Sequence, residues 1–122
     1  MAPGNNIYYA GYMDNIRAMA GLGALAQATR LETFKLLVRH EPGGVAAGAV
    51  ARALGVPQNT MSAHLAVLAR AGLVTMQRDG RSLIYRADLA ALRALMMFLV
   101  RDCCAESQAL CIPLVAELTP CR

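Results

Sequence analysis

The chain has 122 residues and a net charge of +4, with 57% hydrophobic and only 16% charged residues, and a mean hydropathy of +0.39. That length makes one domain with a real core, but so small a domain cannot bury this much apolar surface, and part of it is expected in a subunit interface. The longest apolar run, residues 94–100, is far too short to cross a bilayer, and no basic leader precedes an apolar stretch at the N-terminus, so neither a membrane partner nor secretion is expected.

A cytoplasmic location is therefore expected, and there the four cysteines serve as thiols for metal or redox chemistry rather than as structural disulfides. Residues 1–13, rich in Asn, Gly and Tyr, read as a flexible arm. Asp14 can cap a helix through about Leu25, in which Ile16, Met19, Leu22 and Leu25 fall at helical spacing. Residues 28–40 read as a second helix with Leu31, Phe34, Leu37 and Val38 on its buried side. Thr29 is its expected cap, Glu32 the capping-box partner, and His40 at its end can interact with the dipole. Glu41-Pro42-Gly43-Gly44 breaks the chain.

Residues 45–54, alanine-rich and apolar, are expected as a short helix, and Gly55-Val56 as a tight connection. The stretch from 57 to 73 then reads as an amphipathic helix. Pro57 suits its start, Gly72 suits a left-handed cap at its end, and Met61, Leu65 and Leu68 share a core-facing stripe. Gln58, Asn59, Thr60, Ser62 and His64 crowd its first two turns with the hydrogen-bonding groups that read base edges in a major groove. Short helix, glycine turn and polar-tipped helix make the helix-turn-helix pattern.

Two strand-like runs, 74–78 and 82–86, flank Asp79-Gly80 and read as a hairpin. Three helices followed by a basic hairpin describe a winged helix. Residues 50–86 hold Arg52, Arg70, Arg78, Arg81 and Arg86 against Asp79 alone, so the positive charge gathers where a phosphate-binding face needs it. Eleven of the twelve basic residues are arginine, which favours bidentate phosphate contacts. Arg81 at the wing tip, helped by Arg78, is expected to reach a phosphate or the minor groove.

Asp88 can cap a last helix from Leu89 to about Asp102, in which Leu89, Leu92, Met96 and Leu99 recur at the spacing of a helix–helix seam. It is apolar well beyond that seam, so burial on more than one side is expected, with the first and last helices forming a dimer interface. The expected fold is mainly α (α+β): a homodimeric winged helix-turn-helix over residues 14–102, with a cysteine-bearing tail at 103–122.

In sequence, Ala28-Thr29-Arg30-Leu31-Glu32, then Leu54-Gly55-Val56-Pro57-Gln58-Asn59-Thr60-Met61-Ser62-Ala63-His64-Leu65, Leu68, Ala71-Gly72-Leu73-Val74, Asp79-Gly80-Arg81 and Tyr85-Arg86 resemble the ArsR (ArsR/SmtB) family of metalloregulatory repressors. The resemblance covers about residues 14–102. It implies a homodimer that binds double-stranded operator DNA and leaves it on binding a metal or metalloid. The cysteine pair that many arsenical repressors carry near the helix-turn-helix is absent from residues 45–52, and residues 89–102 lack the histidine that zinc sensors place on the last helix. The remaining Cys103, Cys104 and Cys111 resemble the site of arsenical repressors whose three cysteines lie near the C-terminus.

Three thiolates suit a soft, three-coordinate ion, As(III) or Sb(III), acting as inducer. No organic cofactor is implied. Zinc would want a fourth ligand, for which Cys121 is the remaining thiol. On a regular helix Cys103 continues the seam, Cys104 points about 100° away and Cys111 lies about 10 Å further on. Binding must then reorganise the end of the interface helix or draw Cys111 from the partner subunit. A thiol-redox or persulfide sensor using the same cysteines, a Zn/Cd sensor and an architectural DNA-binding protein stay open as alternatives. An enzyme does not fit, because C-x-x-C and any acid–base set are missing.

Overall fold

In a computed structural model, described over residues 13–104, 112–113 and 116–117, the elements are α1 Asn15–Leu25, α2 Ala28–Arg39, β1 Val45–Ala46, α3 Ala47–Leu54, α4 Gln58–Arg70, β2 Val74–Asp79, β3 Ser82–Ala87 and α5 Leu89–Cys104. The three strands form one antiparallel sheet in the order β1-β3-β2. The core lies where α2, α3 and α4 meet the base of the hairpin. Leu37, Val50, Met61, Leu65 and Leu68 are fully buried there, with Phe34, Leu73, Val74 and Ala87 around them.

The helix ends follow from local hydrogen bonding. Asp14 accepts the Arg17 N–H at 2.8 Å to open α1, and Asp88 accepts the Ala91 N–H at 3.0 Å to open α5. Helix α4 closes at Gly72, whose φ is 81°. The Gly72 and Leu73 N–H groups return to the Ala69 and Leu68 carbonyls, each at 3.0 Å, which is the Schellman arrangement.

Four expectations need correction. Helix α2 is capped by Gln27, not Thr29: from an extended backbone the Gln27 side chain accepts the Arg30 N–H at 2.8 Å. The helix therefore starts before Thr29, and Glu32 pairs with Lys35 instead of closing a box. The buried side of α2 is Thr33, Phe34, Leu36 and Leu37, while Leu31 stays 41% exposed. Thr33 is tolerated inside because its hydroxyl donates to the Thr29 carbonyl at 2.8 Å and lies 3.6 Å from Met61 Sδ. Residues 45–54 are not one helix, since Val45 and Ala46 pair with Tyr85 and Ile84 before α3 begins. Finally, Asp79 pairs with Ser82, leaving Gly80-Arg81 as the two-residue loop. Gly80 supplies the positive φ of 64° that the first central position of such a loop requires, with no positive φ at Arg81.

Helix α1 turns small residues inward and large ones outward. Ala18, Gly21 and Ala24 are buried, whereas Ile16, Met19 and Leu22 are 78%, 70% and 43% exposed. The small side admits α5, where a Cβ added at Gly21 would stand 3.3 Å from Cδ2 of the buried Leu95. On α5, Leu89, Met96 and Met97 remain exposed, and Leu92 and Leu99 are half-buried.

The link from α2 to the sheet is equally specific. Arg86 on β3 holds Glu41 bidentately, with Nη2 to Oε1 at 2.8 Å and Nε to Oε2 at 3.2 Å. Hydrogen bonding to Arg86 keeps the Glu41 carboxyl below its ordinary value of 4.5. Gly44 passes so close to β3 that a Cβ would fall 2.7 Å from Arg86 Cγ and 2.9 Å from the Tyr85 carbonyl oxygen, at a φ of 82°.

Gly44→Ala is therefore expected to cost at least about 2 kcal/mol in urea unfolding, the left-handed backbone and the overlap adding together. An unchanged midpoint would refute the tight passage. The Glu41 value is lower folded than unfolded, so the pair contributes fully above pH 4.5 and loses its contribution as pH falls through the folded value. The stability gap between wild type and Glu41→Gln should accordingly close on acidification. A gap that stays constant down to the acid transition would count against the pair.

Candidate nucleic-acid interface

With Met61, Leu65 and Leu68 held in the core, α4 must turn its other face to solvent, and Gln58, Asn59, Thr60 and Ser62 are all exposed there. Neither Ala46 before α3 nor Pro57 before α4 caps its helix with a side chain, and neither first turn carries an acidic residue. Two helix ends thus offer the same chemistry, backbone N–H groups and a partial positive charge, suited to phosphate. In α4 the Asn59 side chain accepts the Thr60 N–H at 2.9 Å.

Arg52 belongs to this surface, although the sequence offered it only as one charge among five. A Cβ on Gly48 would lie 3.4 Å from Arg52 Nη1 and 3.7 Å from Gln58 Nε2, so both side chains converge over the start of α3. The available signal was the spacing of Gly48 and Arg52, four residues apart on one helix face with no bulk beneath the guanidinium. His64 is placed differently from its neighbours. It is half-buried, with Nδ1 3.5 Å from Nη1 of Arg30 on α2.

On the hairpin, every β2 side chain after Val74 is exposed, Arg78 included, and Arg81 occupies the tip. Arg78, Asp79, Ile84 and Arg86 line a shallow cleft of about 240 Å³ against Pro42 and Gly43. Lys35 pairs with Glu32, and Arg86 with Glu41. Arg52, Arg70, Arg78 and Arg81 are exposed and could meet phosphates.

The candidate thiol site is divided by what the structure describes. Cys103 and Cys104 occupy the last turn of α5, and Cys111 and Cys121 lie outside the described residues. Among the described residues, no helix is long and apolar enough to cross a membrane.

A helix-turn-helix domain family matches residues 25–77. The transcriptional activator HlyU of Vibrio cholerae is 27% identical over 95 residues, 78% of this chain and 85% of HlyU. Among solved structures, the homodimeric winged helix-turn-helix DNA-binding domain of a possible ArsR-family regulator from Mycobacterium bovis is 30% identical. The match covers 84% of this chain and 91% of that one, with a TM-score of 0.59. A possible transcriptional regulator for arsenical resistance is 33% identical over 82% of this chain and 97% of its own, with a TM-score of 0.56.

The two surfaces should respond differently to substitution. Arg81→Ala is expected to weaken duplex binding across all sequences and to lower the salt slope by about one unit, as loss of a phosphate contact does. Gln58→Ala or Asn59→Ala should instead relax sequence preference in a selection from random duplexes. If the salt slope and the selected sequences stay as in wild type, the interface lies elsewhere.

Proposed function

This chain belongs to the ArsR family of DNA-binding winged helix-turn-helix transcription regulators, and from that premise we propose that it is a homodimeric repressor released from its operator by trivalent arsenic or antimony. One observation carries the reading. Helix α5, which exposes Leu89, Met96 and Met97 and packs on α1, itself exposing Ile16, Met19 and Leu22, ends in the consecutive cysteines Cys103 and Cys104.

The exposed stripe favours a second copy of the chain, as in the homodimeric Mycobacterium bovis relative. A two-fold dimer presents two α4 helices to successive major grooves, about 34 Å apart along the duplex. The thiols favour a soft ion. Cys103, Cys104 and Cys111 supply three thiolates, and the helix carries no histidine to attract zinc. Resemblance to a possible arsenical-resistance regulator lends the same direction. When bound, the ion would supply a cross-link between the end of α5 and the chain beyond it. Because α5 both packs on α1 and borders the seam, rearranging its end alters how the subunits meet and so the spacing of the two α4 helices. Release by a factor of about 100 asks only about 2.7 kcal/mol of preference for the DNA-free form.

Met19→Glu with Met96→Glu should give a folded monomer that no longer binds operator, read by sedimentation and anisotropy. A wild-type monomer at micromolar concentration would end the dimer proposal. Arsenite added to the reduced protein should release DNA, and Ser at Cys103, Cys104 or Cys111 should blunt release while leaving ligand-free DNA affinity nearly unchanged. Cys121→Ser should behave as wild type. X-ray absorption is expected to find three sulfur neighbours around arsenic. Oxygen-dominated coordination, or release by oxidants without arsenic affinity, would overturn the proposal, the latter in favour of thiol redox sensing.

A further inference from the structure

Arg30 joins three helices through one guanidinium. It sits in the first turn of α2, where its own N–H is held by Gln27. Its Nε–H donates to the Ala24 carbonyl at 2.7 Å. That carbonyl lies in the last turn of α1, where no helical N–H remains to satisfy it. The short bond fixes the plane of the guanidinium, and its Nη1 then faces Nδ1 of His64 on α4 at 3.5 Å. Arginine has donors only. An N–H on Nδ1 would point at a cation, so the ring must turn its Nδ1 lone pair to Arg30, and a neutral ring must then carry its proton on Nε2.

We propose that Arg30 is a positioning residue of the DNA interface: anchored to the end of α1, it holds the His64 ring with Nδ1 as acceptor, leaving Nε2–H as the donor that α4 offers to DNA. The inference rests on the reading of α4 as the DNA-facing helix. It also explains why His64, in a row of exposed polar residues, is half-buried: one edge of the ring is bound inward, and the other keeps its hydrogen-bonding capacity. Through the same guanidinium, a displacement of the end of α1 is transmitted to α4.

The chain has only two histidines, and the second provides an internal contrast. His40 Nδ1 lies 3.0 Å from the Leu36 carbonyl, which can only accept, so the His40 proton belongs on Nδ1. Long-range ¹H–¹⁵N spectra of the full-length reduced protein, recorded at about pH 8, above the histidine reference value, should therefore show opposite tautomers: Nδ1–H for His40 and Nε2–H for His64. A His64 ring protonated on Nδ1 in the wild type overturns the proposal without any mutant.

The functional arm uses a duplex selected from a random library with the wild-type protein. Arg30→Met should shift the His64 ring towards a mixture of tautomers and weaken binding about tenfold, the scale of one hydrogen bond involving a charged group. His64→Ala should cost about the same, and the double variant no more than the larger single loss. His64→Gln, with an amide that can accept from Arg30 and donate to DNA, should stay within about threefold of wild type. Losses that add in the double variant, or a His64→Gln as weak as His64→Ala, refute the link. If Gln58→Ala and Arg81→Ala weaken binding while the Arg30 and His64 variants do not, this inference fails and the DNA reading stands. If none of the four weakens it, the DNA reading of α4 fails first.

Discussion

The arrangement depends on the burial of one stripe, Met61, Leu65 and Leu68, each without exposed surface. A fully buried side chain of this size contributes roughly 1.5–3 kcal/mol, so three together match a large part of the net stability of a small domain. Their burial against α2, α3 and the hairpin base settles the rotation of α4 about its axis. That rotation decides which residues face outward, and Gln58, Asn59, Thr60 and Ser62 inherit their exposure from it. The surface proposed to read DNA is thus a by-product of core packing.

The same logic, with opposite outcome, governs α1. Its inward positions are Ala18, Gly21 and Ala24, small enough for α5 to approach at Leu95. Its large apolar residues are left with nothing to cover them among the described residues. Periodicity alone reads Ile16, Met19, Leu22 and Leu25 as a buried stripe, and cannot tell burial within a chain from burial between chains. The composition carried the missing information, because a chain this apolar and this short has more hydrophobic surface than one core can take.

Legibility in the sequence followed the strength of the local signal. Asp14 and Asp88 cap as read, since a short carboxylate before an apolar run has one good use. Gln27 was passed over because glutamine is an uncommon cap and Thr29 with Glu32 offered a stronger pattern two residues later. Val45 and Ala46 form a strand of two residues, too short to show alternation, and only the contact with β3 makes it one. The hairpin was plain but its loop moved by one residue, because the pairing of Asp79 with Ser82 places Gly80 first in the turn. The exposed row on α4 was visible as a pattern. The bond from Arg30 to Ala24 spans six residues across a helix boundary and leaves no periodic trace. Of the thiol site, Cys103 and Cys104 are seen to end α5, and Cys111 lies outside the described residues.

Leu95 has a further consequence. It is buried against Gly21 of α1 within one subunit, while Met96, the next residue, is exposed on the same helix. In the proposed dimer a single rigid element therefore belongs to two hydrophobic compartments. Only a folded α5 presents both sides at once, so association adds to the stability of a subunit that already packs Leu95 on α1. The melting temperature of such a protein rises with its own concentration by mass action. Dilution removes that increment, so the amount of regulator in a cell sets its margin of stability as well as how much DNA it can occupy.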